Sequence, residues 1–343
     1  LDRGDLLVPA DQHPAHELLH GEGHHGTGGR CQTPGVGSAV GRVVVVVNPQ
    51  AGRRRVRSAV PVLERRLRSS GLELDVVTTA GPGDATRLAR QAAEEGRHMV
   101  VAVGGDGTVH EVVNGLLAAR PAGSERPVLG VVSAGSGCDF VRTFGIPGQA
   151  ERAADRLAGE TVRPVDVARL TYVDGRGEPA VRYCANIAEV GLGAATARRA
   201  AGLPPVLGPS RYFFAFWATL PGYRPGPVRI EVDGAVTYEG RAGNVVLANC
   251  RYFGGGMHIS PRSDPADGVL ELLAFTGPKT DSFTMLPRIY RGRHVPHPRI
   301  VEAAGRRFRL ESEQPFPVEA DGEVLGTSPL TVEVVPGALD LKT

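Results

Sequence analysis

The sequence is short of lysine and cysteine, and its net charge is close to zero. Its 343 residues include only two lysines, Lys279 and Lys342, so arginine carries most of the positive charge. The formal net charge of +2 gives no electrostatic argument for a nucleic-acid partner, and we expect none. The four cysteines match neither a zinc motif nor a dense disulfide framework, so a reducing cytoplasm is the expected compartment.

Long apolar runs are also lacking. No stretch reaches the roughly 18 residues that a membrane-spanning helix needs. The longest candidate, RYFFAFWATL at residues 211–220, is too short and begins with an arginine. The N-terminus lacks a basic region followed by an apolar one, so the sequence predicts no signal peptide.

Residues 1–41 are rich in glycine, proline and histidine and show no periodicity. Such a segment buries too little apolar surface to offset the entropy lost on ordering. We therefore predict a disordered tail, and we expect no specific metal site there although it contains five histidines: His13, His16, His20, His24 and His25.

An ordered α/β region is predicted to begin at VVVVV, residues 43–47. An uninterrupted β-branched run is typical of a strand buried on both faces. Further predicted strands, at residues 72–78, in HMVVAVGG and in VLGVVSAG, alternate with predicted helices. This alternation predicts a parallel sheet with right-handed crossovers.

The pattern changes after Pro164, where short alternating strands separated by turn residues predict a second, mainly antiparallel β-sandwich domain. A single helical insert is expected near residues 210–220. We place the α/β domain at residues 42–164, joined by a C-terminal strand at 331–343, and the β-rich domain at 165–330.

The strongest chemical motif is VVAVGGDGTVHEVVNGL, residues 100–116, in which a buried strand runs through GGDGT into a helix. Glycines let backbone N–H groups approach phosphates, and the free amides of a helix N-terminus favour anions. Asp106 is unusual beside an anion, and it makes chemical sense if it holds Mg²⁺ or orients a hydroxyl. A plain strand–turn–helix connector is the alternative for this loop taken alone.

Two more glycine-bearing loops follow predicted strands, at residues 48–52 and 134–139. Ligands of an open parallel sheet bind outside the C-terminal ends of its strands. We therefore expect the three loops to converge on one crevice.

The order of these motifs resembles the diacylglycerol kinase catalytic-domain family, which includes bacterial lipid kinases, sphingosine kinases and ceramide kinases. The similarity continues through NCRYFGGGMHISPRSDPADGVLELL at residues 249–273 and ends in Ala-Asp-Gly-Glu at 320–323. GGDGT alone is shared with NAD kinases and phosphofructokinases, whereas the whole ordered set is specific.

The resemblance implies an ATP site at residues 42–164 and a lipid-acceptor domain at 165–330. The general base would be Asp321 or Glu323, ranked equally, with Asp106 as the next candidate, although Asp-Gly is also a strong hairpin-turn dipeptide. A structural Mg²⁺ would be held by Asp264, Asp267 and the carbonyl of Val269, unless these carboxylates only form a solvated turn. The implied ATP contacts are Asn48, Pro49, Gln50, Ala51, Gly52, Thr79, Gly104, Gly105, Asp106, Gly107, Thr108, Val109, His110, Glu111 and Ser136.

The chain departs from the family pattern in its third loop. The family has Gly-Thr-Gly/Ala-Asn-Asp where this sequence has Gly-Ser-Gly-Cys-Asp. Ser136 keeps the hydroxyl, but Cys138 lacks the amide of asparagine, which points to weakened turnover or altered substrate choice.

The resemblance implies ATP- and Mg²⁺-dependent phosphorylation of a lipid hydroxyl, with diacylglycerol giving phosphatidate. The partner would be lipid at the inner membrane surface, reached by peripheral association, and a homodimer is left open. The alternatives are another lipid such as sphingosine or ceramide, a soluble acceptor as in NAD kinases, and a nucleotide-binding regulator without turnover. The aromatic stretch at residues 212–217 either faces lipid or belongs to an ordinary core helix.

Overall fold

A computed structural model describes residues 42–52, 54–119, 127–134, 138–204, 207 and 210–343. The predicted disordered tail at residues 1–41 and the predicted ATP contact Ser136 lie outside these ranges. Within them, no helix is both long and apolar enough to cross a membrane.

The first half of the described chain is a parallel sheet, as predicted, and helices cover both of its faces. The strand order is β2-β1-β3-β4, and all neighbours are parallel. The strands are β1 (Arg42–Val47), β2 (Glu73–Thr78), β3 (Met99–Gly104) and β4 (Val128–Ser133). The helices are α1 (Arg54–Ser69), α2 (Asp84–Glu94), α3 (Asp106–Ala118), α4 (Asp139–Thr143) and α5 (Ala150–Ala158).

Alternate valines of β1 serve two different cores, which explains the uninterrupted apolar run. Val44 and Val46 pack with apolar residues of α2 and α3 on one face. Val43 and Val45 pack with apolar residues of α1 and α5 on the other. A central strand covered on both faces requires apolar side chains at every position.

The second half is mainly antiparallel, again as predicted, and its strands enclose a further core. The long last strand pairs with β4 in parallel at Leu341–Leu129 and is therefore hydrogen-bonded to the first half as well. The strands are β5 (Val162–Val173), β6 (Pro179–Cys184), β7 (Ile187–Gly191), β8 (Gly226–Val232), β9 (Ala235–Ala242), β10 (Asn244–Ala248), β11 (Leu270–Phe275), β12 (Ile300–Gly305), β13 (Arg307–Ser312), β14 (Pro317–Ala320) and β15 (Glu323–Lys342).

Among the described residues, three α-helices interrupt these strands, so the expectation of a single insert was wrong. They are α6 (Leu192–Ala201), α7 (Ser210–Thr219) and α8 (Ser282–Tyr290), of which only α7 matches the prediction. Helix α6 is rich in alanine and has no strong apolar stripe, whereas α8 contains Pro287, which the sequence rules treat as a helix breaker.

Candidate active site

The described parts of the three glycine-bearing loops lie in contact at the C-terminal edge of the parallel strands. The Asn48 side-chain amide donates a hydrogen bond to Thr108 Oγ1 at 3.0 Å, which joins the first loop to GGDGT. At Gly52, whose φ is +53°, a Cβ atom would lie 1.8 Å from the carbonyl oxygen of Ala134. Only glycine fits there, so the first loop packs directly on the backbone that leads into the third.

The GGDGT segment turns from β3 into α3 with no intervening loop. Gly105 is the N-cap residue in an extended conformation, and α3 begins at Asp106. The Thr108 side chain occupies the space where a Cβ on Gly104 would lie, 2.3 Å from its Oγ1. The first backbone N–H groups of α3 are therefore presented at the crevice, where they suit an anion such as phosphate.

Asp106 ties this loop to the start of α4. Its carboxylate accepts hydrogen bonds from the backbone N–H groups of Asp139 and Phe140, both at 3.3 Å. Burial raises the pKa of Asp106 above its ordinary value, although these hydrogen bonds oppose the shift. Its contact with ATP, with Mg²⁺ or with the reacting hydroxyl stays a prediction.

Asp139 is a buried carboxylate that the sequence analysis did not single out. Its Oδ2 accepts a hydrogen bond from the Gly255 N–H at 2.7 Å, which connects α4 to the GGG segment of the second half. Burial, with the nearby Asp106 adding to it, raises the pKa of Asp139 to about 6. Its place at the end of the third glycine loop is the sequence signal that could have identified it.

Cys138 stands immediately before α4 in a left-handed conformation, with φ of +54° and ψ of +44°. The Ser133 hydroxyl contacts its sulfur. Asparagine adopts this conformation more readily than other non-glycine residues, so the family's asparagine suits the backbone better than cysteine does.

The side chains of His110 and Asn114 contact the second half of the chain from α3. His110 Nδ1 lies 2.9 Å from Asp321 Oδ2, and the His110 side chain is almost fully buried. The Asn114 amide accepts a hydrogen bond from the Tyr183 N–H and donates one to the Tyr183 carbonyl, both at 2.9 Å. These contacts fix α3 against β6 and against the turn between β14 and β15.

Glu111 contacts the start of α2, and Thr79 follows the C-terminal end of β2. The Glu111 carboxylate accepts hydrogen bonds from the N–H groups of Gly83 at 2.9 Å and Ala85 at 3.0 Å, so it holds the start of α2. Thr79 directly follows β2, and its N–H donates to the Val47 carbonyl at 2.9 Å. The roles of His110, Glu111 and Thr79 in ATP binding stay predictions.

Asp321 is locked inside the turn between β14 and β15. Its Oδ1 accepts hydrogen bonds from the N–H groups of Asn186 at 3.0 Å and Ile187 at 3.1 Å, and its Oδ2 accepts one from the Ala185 N–H at 3.2 Å. The side chain is only 5% exposed. Burial raises the pKa of Asp321, but the hydrogen bond and the charge of His110, with the other donors, outweigh it and hold that pKa below its ordinary value.

Glu323 has the opposite surroundings. It is exposed, and its Oε1 lies 3.3 Å from the point where a Cβ on Gly107 would stand. A glycine at position 107 therefore leaves the space through which this carboxylate faces the GGDGT loop. Of the two carboxylates that the sequence ranked equally, Glu323 is the one at the crevice.

Asp264 and Asp267, the predicted magnesium ligands, are exposed residues of a turn before β11. Asp264 Oδ1 accepts a hydrogen bond from the Ala266 N–H at 3.2 Å, and Asp267 Oδ1 accepts one from the Val269 N–H at 3.0 Å. The buried Asp166 fixes this turn, since its Oδ2 accepts a 2.6 Å hydrogen bond from the Gly268 N–H.

The donor set of this turn suits a hard cation, because Mg²⁺ prefers oxygen ligands and each carboxylate has a second oxygen beyond its turn hydrogen bond. Over the ranges that the structure describes, no group of three or more His, Cys, Asp or Glu side chains is arranged to hold a metal. Any cation here would therefore rely on backbone carbonyls and water as well.

Glycine-lined loops at the edge of a parallel sheet, facing a carboxylate from a second β-rich half, define a phosphotransferase of the nucleotide-using kinase class. Two family models match the chain: "Diacylglycerol kinase catalytic domain" over residues 42–170 and "YegS C-terminal NAD kinase beta sandwich-like domain" over residues 186–343.

Individual proteins agree with the family models. The chain is 30% identical to diacylglycerol kinase of Bacillus subtilis over 84% of this chain and 91% of that protein. It is 28% identical to diacylglycerol kinase of Mycobacterium tuberculosis over 88% of this chain and 95% of that one. A crystal structure of a putative diacylglycerol kinase from Bacillus anthracis superposes with a TM-score of 0.71 at 26% identity, covering 88% and 97% of the two chains.

The chain belongs to the diacylglycerol kinase family, which confirms the resemblance seen in its motifs. It is an enzyme of the kinase class, and its family uses a nucleotide as phosphoryl donor.

Proposed function

We propose that this protein transfers the γ-phosphate of ATP to the free hydroxyl of diacylglycerol, with Mg²⁺, and so forms phosphatidate and ADP. The observation that carries the proposal is the position of Glu323, an exposed carboxylate against Gly107 of the phosphate-type loop. It supplies a base beside the place where the three glycine loops favour a phosphate.

The nucleotide side of the site works by positioning. Phosphoryl transfer needs little covalent chemistry from the protein. The attacking and leaving oxygens must be held in line with the phosphorus, and the charge of the phosphates must be neutralised. The N-terminal amides of α3, with the loops at residues 48–52 and 134–139, would hold the phosphates of ATP. Asn48, through its hydrogen bond to Thr108, and Gly52, through its close approach to Ala134, fix the positions of these loops relative to one another.

The acceptor side works by general base catalysis. Glu323 would accept the proton of the acceptor hydroxyl while the oxygen of that hydroxyl bonds to the γ-phosphorus. The bond between the γ-phosphorus and the bridging oxygen of the β-phosphate breaks in the same step, and ADP leaves. Asp321 cannot take this role in the same way, because its oxygens already accept several hydrogen bonds and its side chain is buried.

Magnesium would be held by Asp264, Asp267 and the Val269 carbonyl, whose oxygen atoms fit a hard cation. A divalent cation neutralises phosphate charge or stabilises the fold when bound. The protein holds this turn in place through Asp166, whose carboxylate accepts hydrogen bonds from the Gly268 and Gly337 N–H groups.

Diacylglycerol is proposed as the acceptor because the similar proteins of Bacillus subtilis and Mycobacterium tuberculosis carry that name and cover most of the chain. A bilayer lipid also requires that the enzyme associate with a membrane surface. We propose peripheral association at the inner face of the membrane.

The test is a panel of acceptors offered with ATP labelled at the γ-phosphate. Diacylglycerol, ceramide and sphingosine are presented in mixed micelles and NAD in solution, each with the wild-type protein and with Glu323→Gln. The proposal expects label in phosphatidate far above every other product, and its loss in the variant. Label in NAD would overturn the acceptor, and ATP binding without any labelled product would show a regulator instead of an enzyme.

A further inference from the structure

Four large aromatic side chains of α7 and α8 form one connected surface, and the exposed Tyr290 lies about two turns further along α8. We call this set the aromatic face. Within α7 the Phe213 and Trp217 ring centroids are 6.2 Å apart, and across the two helices those of Trp217 and Phe283 are 4.9 Å apart. The exposed fractions of Phe213 and Phe283 are 55% and 62%. The aromatic face consists of Phe213, Phe214, Trp217, Phe283 and Tyr290.

Packing within the protein does not account for this face. In α8, Met285 and Ile289 point into a core, whereas Phe283 and Tyr290 are exposed on the opposite side of the helix. In α7, Ala215 is the only buried residue, although the helix carries five aromatic side chains. The interpretation of residues 212–217 as an ordinary core helix was therefore wrong.

The sequence around the aromatic face is rich in arginine and poor in carboxylates, and Asp281, which directly precedes α8, is paired with Arg299 at 3.0 Å. Residues 190–230 contain five arginines and neither aspartate nor glutamate, and the same holds for residues 282–301 with four arginines. Near the face, Arg211, Arg288, Arg291 and Arg293 form no ion pair with any carboxylate of the described chain. Exposed aromatic rings bordered by arginine match the interface of a bilayer that contains anionic lipid.

The aromatic face adjoins the proposed base. The Tyr212 hydroxyl, on α7, donates a 3.3 Å hydrogen bond to the carbonyl of Gly322, the residue between Asp321 and Glu323. Burial raises the pKa of Tyr212 to about 12, so this hydroxyl stays protonated and able to donate. A surface held by α7 against lipid would therefore bring an acceptor hydroxyl close to Glu323.

We propose that the aromatic face docks on an anionic bilayer, with its rings in the interfacial layer and its arginines against lipid headgroups, so that the acceptor enters the site beside Gly322. This proposal rests on the proposed lipid-kinase function, since it names the surface by which that function reaches its substrate. A second copy of the chain is the rival occupant of the same face.

The test is co-sedimentation with phosphatidylcholine vesicles made with and without phosphatidylglycerol. The double variant Phe213→Ser, Phe283→Ser is compared with Val236→Ser, a matched removal of an exposed apolar side chain on β9, outside the face. We expect the double variant to lose at least about tenfold in vesicle partitioning, because each ring loses its burial in lipid. Val236→Ser should bind as the wild type does, and wild-type binding should weaken with added salt.

A short-chain diacylglycerol dispersed in water separates the two proposals. The double variant should phosphorylate it within about twofold of the wild-type rate and fail on long-chain diacylglycerol in vesicles. If the double variant binds and phosphorylates vesicles normally, the docking proposal is overturned while the proposed function stands. If the wild type phosphorylates neither acceptor, the proposed function fails. Self-association of the wild type that the double variant abolishes, with vesicle binding unchanged, would assign the face to a dimer.

Discussion

At the scale of single residues, Asp321 and Glu323 show how the environment assigns different roles to two neighbouring carboxylates. Asp321 sits inside a shell of backbone N–H donors with its pKa held low, whereas Glu323 is exposed at the GGDGT loop. Groups whose surroundings differ in this way take different parts in acid–base chemistry. These surroundings support the proposal that Glu323 is the base and Asp321 a structural residue.

Substituting the two residues should have different effects. Glu323→Gln should lower kcat by roughly 10²–10⁴ with little change in ATP affinity or melting temperature, because only the proton acceptor is lost. Asp321→Asn should lower the melting temperature, since its NH₂ group would face backbone donors and leave buried groups without an acceptor, at a cost of about 1–3 kcal/mol. Full activity of Glu323→Gln, together with a stable but inactive Asp321→Asn, would reverse the assignment.

Substitution of Cys138 tests whether the left-handed backbone at this position is strained. Its left-handed backbone suits asparagine, the family residue, so Cys138→Asn should raise the free energy of unfolding by roughly 1 kcal/mol. Cys138→Ala is the matched control, because alanine has no preference for this conformation. Chemical denaturation of the three proteins measures the effect. An asparagine variant no more stable than the alanine variant would contradict the account of the backbone.

Some of these residues could be identified from the sequence, but the contacts that they make could not. GGDGT and the final Asp-Gly-Glu were recognisable because glycine and carboxylate spacing is local in the chain. The partnership of His110 with Asp321 joins positions 211 residues apart, and no local pattern encodes it. The same distance in sequence explains why the two carboxylates could not be ranked before their surroundings were known.

At the scale of elements, strands β7 and β14 place two glutamates directly opposite each other. Glu189 and Glu319 are register partners, and both are almost fully buried. Asn244 donates a 2.7 Å hydrogen bond to Glu189 Oε1, and the Gly322 N–H donates a 2.9 Å hydrogen bond to Glu319 Oε2. The pair therefore supports the turn that carries Glu323.

This pair should make stability depend on pH. Burial raises the pKa of Glu189 from 4.5 to about 7. Burial, with the charge of Glu189 nearby, also raises the pKa of Glu319 well above its ordinary value. A raised pKa means that the folded state holds a proton which the unfolded state has released, so this contribution is complete below about pH 4.5 and is lost as pH rises through about 7.

Glu189→Gln should remove part of that dependence. A glutamine imitates the protonated carboxyl group, so the variant should gain on the wild type in free energy of unfolding as pH rises from about 5 to about 8. Denaturant titrations at several pH values measure the difference. Parallel curves for the two proteins over this range would show that Glu189 is not protonated in the folded state.

Strands β1–β4 and helices α1–α3 were predictable because buried strands and amphipathic helices differ in period, whereas α4 and α5 were not predicted. Helices α6 and α8 were not, since alanine and an internal proline hide them among strands. Asn114 shows a further limit: its two hydrogen bonds to Tyr183 join α3 to β6, a contact that depends on the tertiary arrangement alone.

At the scale of the whole molecule, magnesium binding should couple to folding. A cation bound only by the folded state raises its melting temperature as the concentration of the cation rises. Asp264→Asn with Asp267→Asn should abolish this rise, because asparagine keeps the Oδ1 acceptors of the turn but removes both charges.

Asp174→Asn is the matched control, since Asp174 Oδ1 also accepts turn hydrogen bonds, from Arg176 and Glu178, outside the predicted site. The measurement is a Mg²⁺ titration of melting temperature after treatment with a chelator. A wild-type melting temperature that does not respond to Mg²⁺, or an equal loss of response in the control, would exclude a structural site at this turn.

Helix α3 connects the two halves of the molecule at the site. Its N-terminus forms the GGDGT end of the crevice, and its second and third turns hold the β14–β15 turn and β6 through His110 and Asn114. One rigid element therefore fixes the distance between the phosphate loops and Glu323. This geometry suits a reaction in which the acceptor is aligned with ATP.

The central claim is that these loops and Glu323 form one active site for a lipid hydroxyl. The most direct measurement follows ADP and phosphatidate in the same samples, with ATP and Mg²⁺, in the presence and absence of diacylglycerol. The account predicts that ADP forms only with diacylglycerol, in amounts equal to phosphatidate, and that both products fall together in Glu323→Gln. ADP formation that is independent of diacylglycerol, or that yields no phosphatidate, would contradict it.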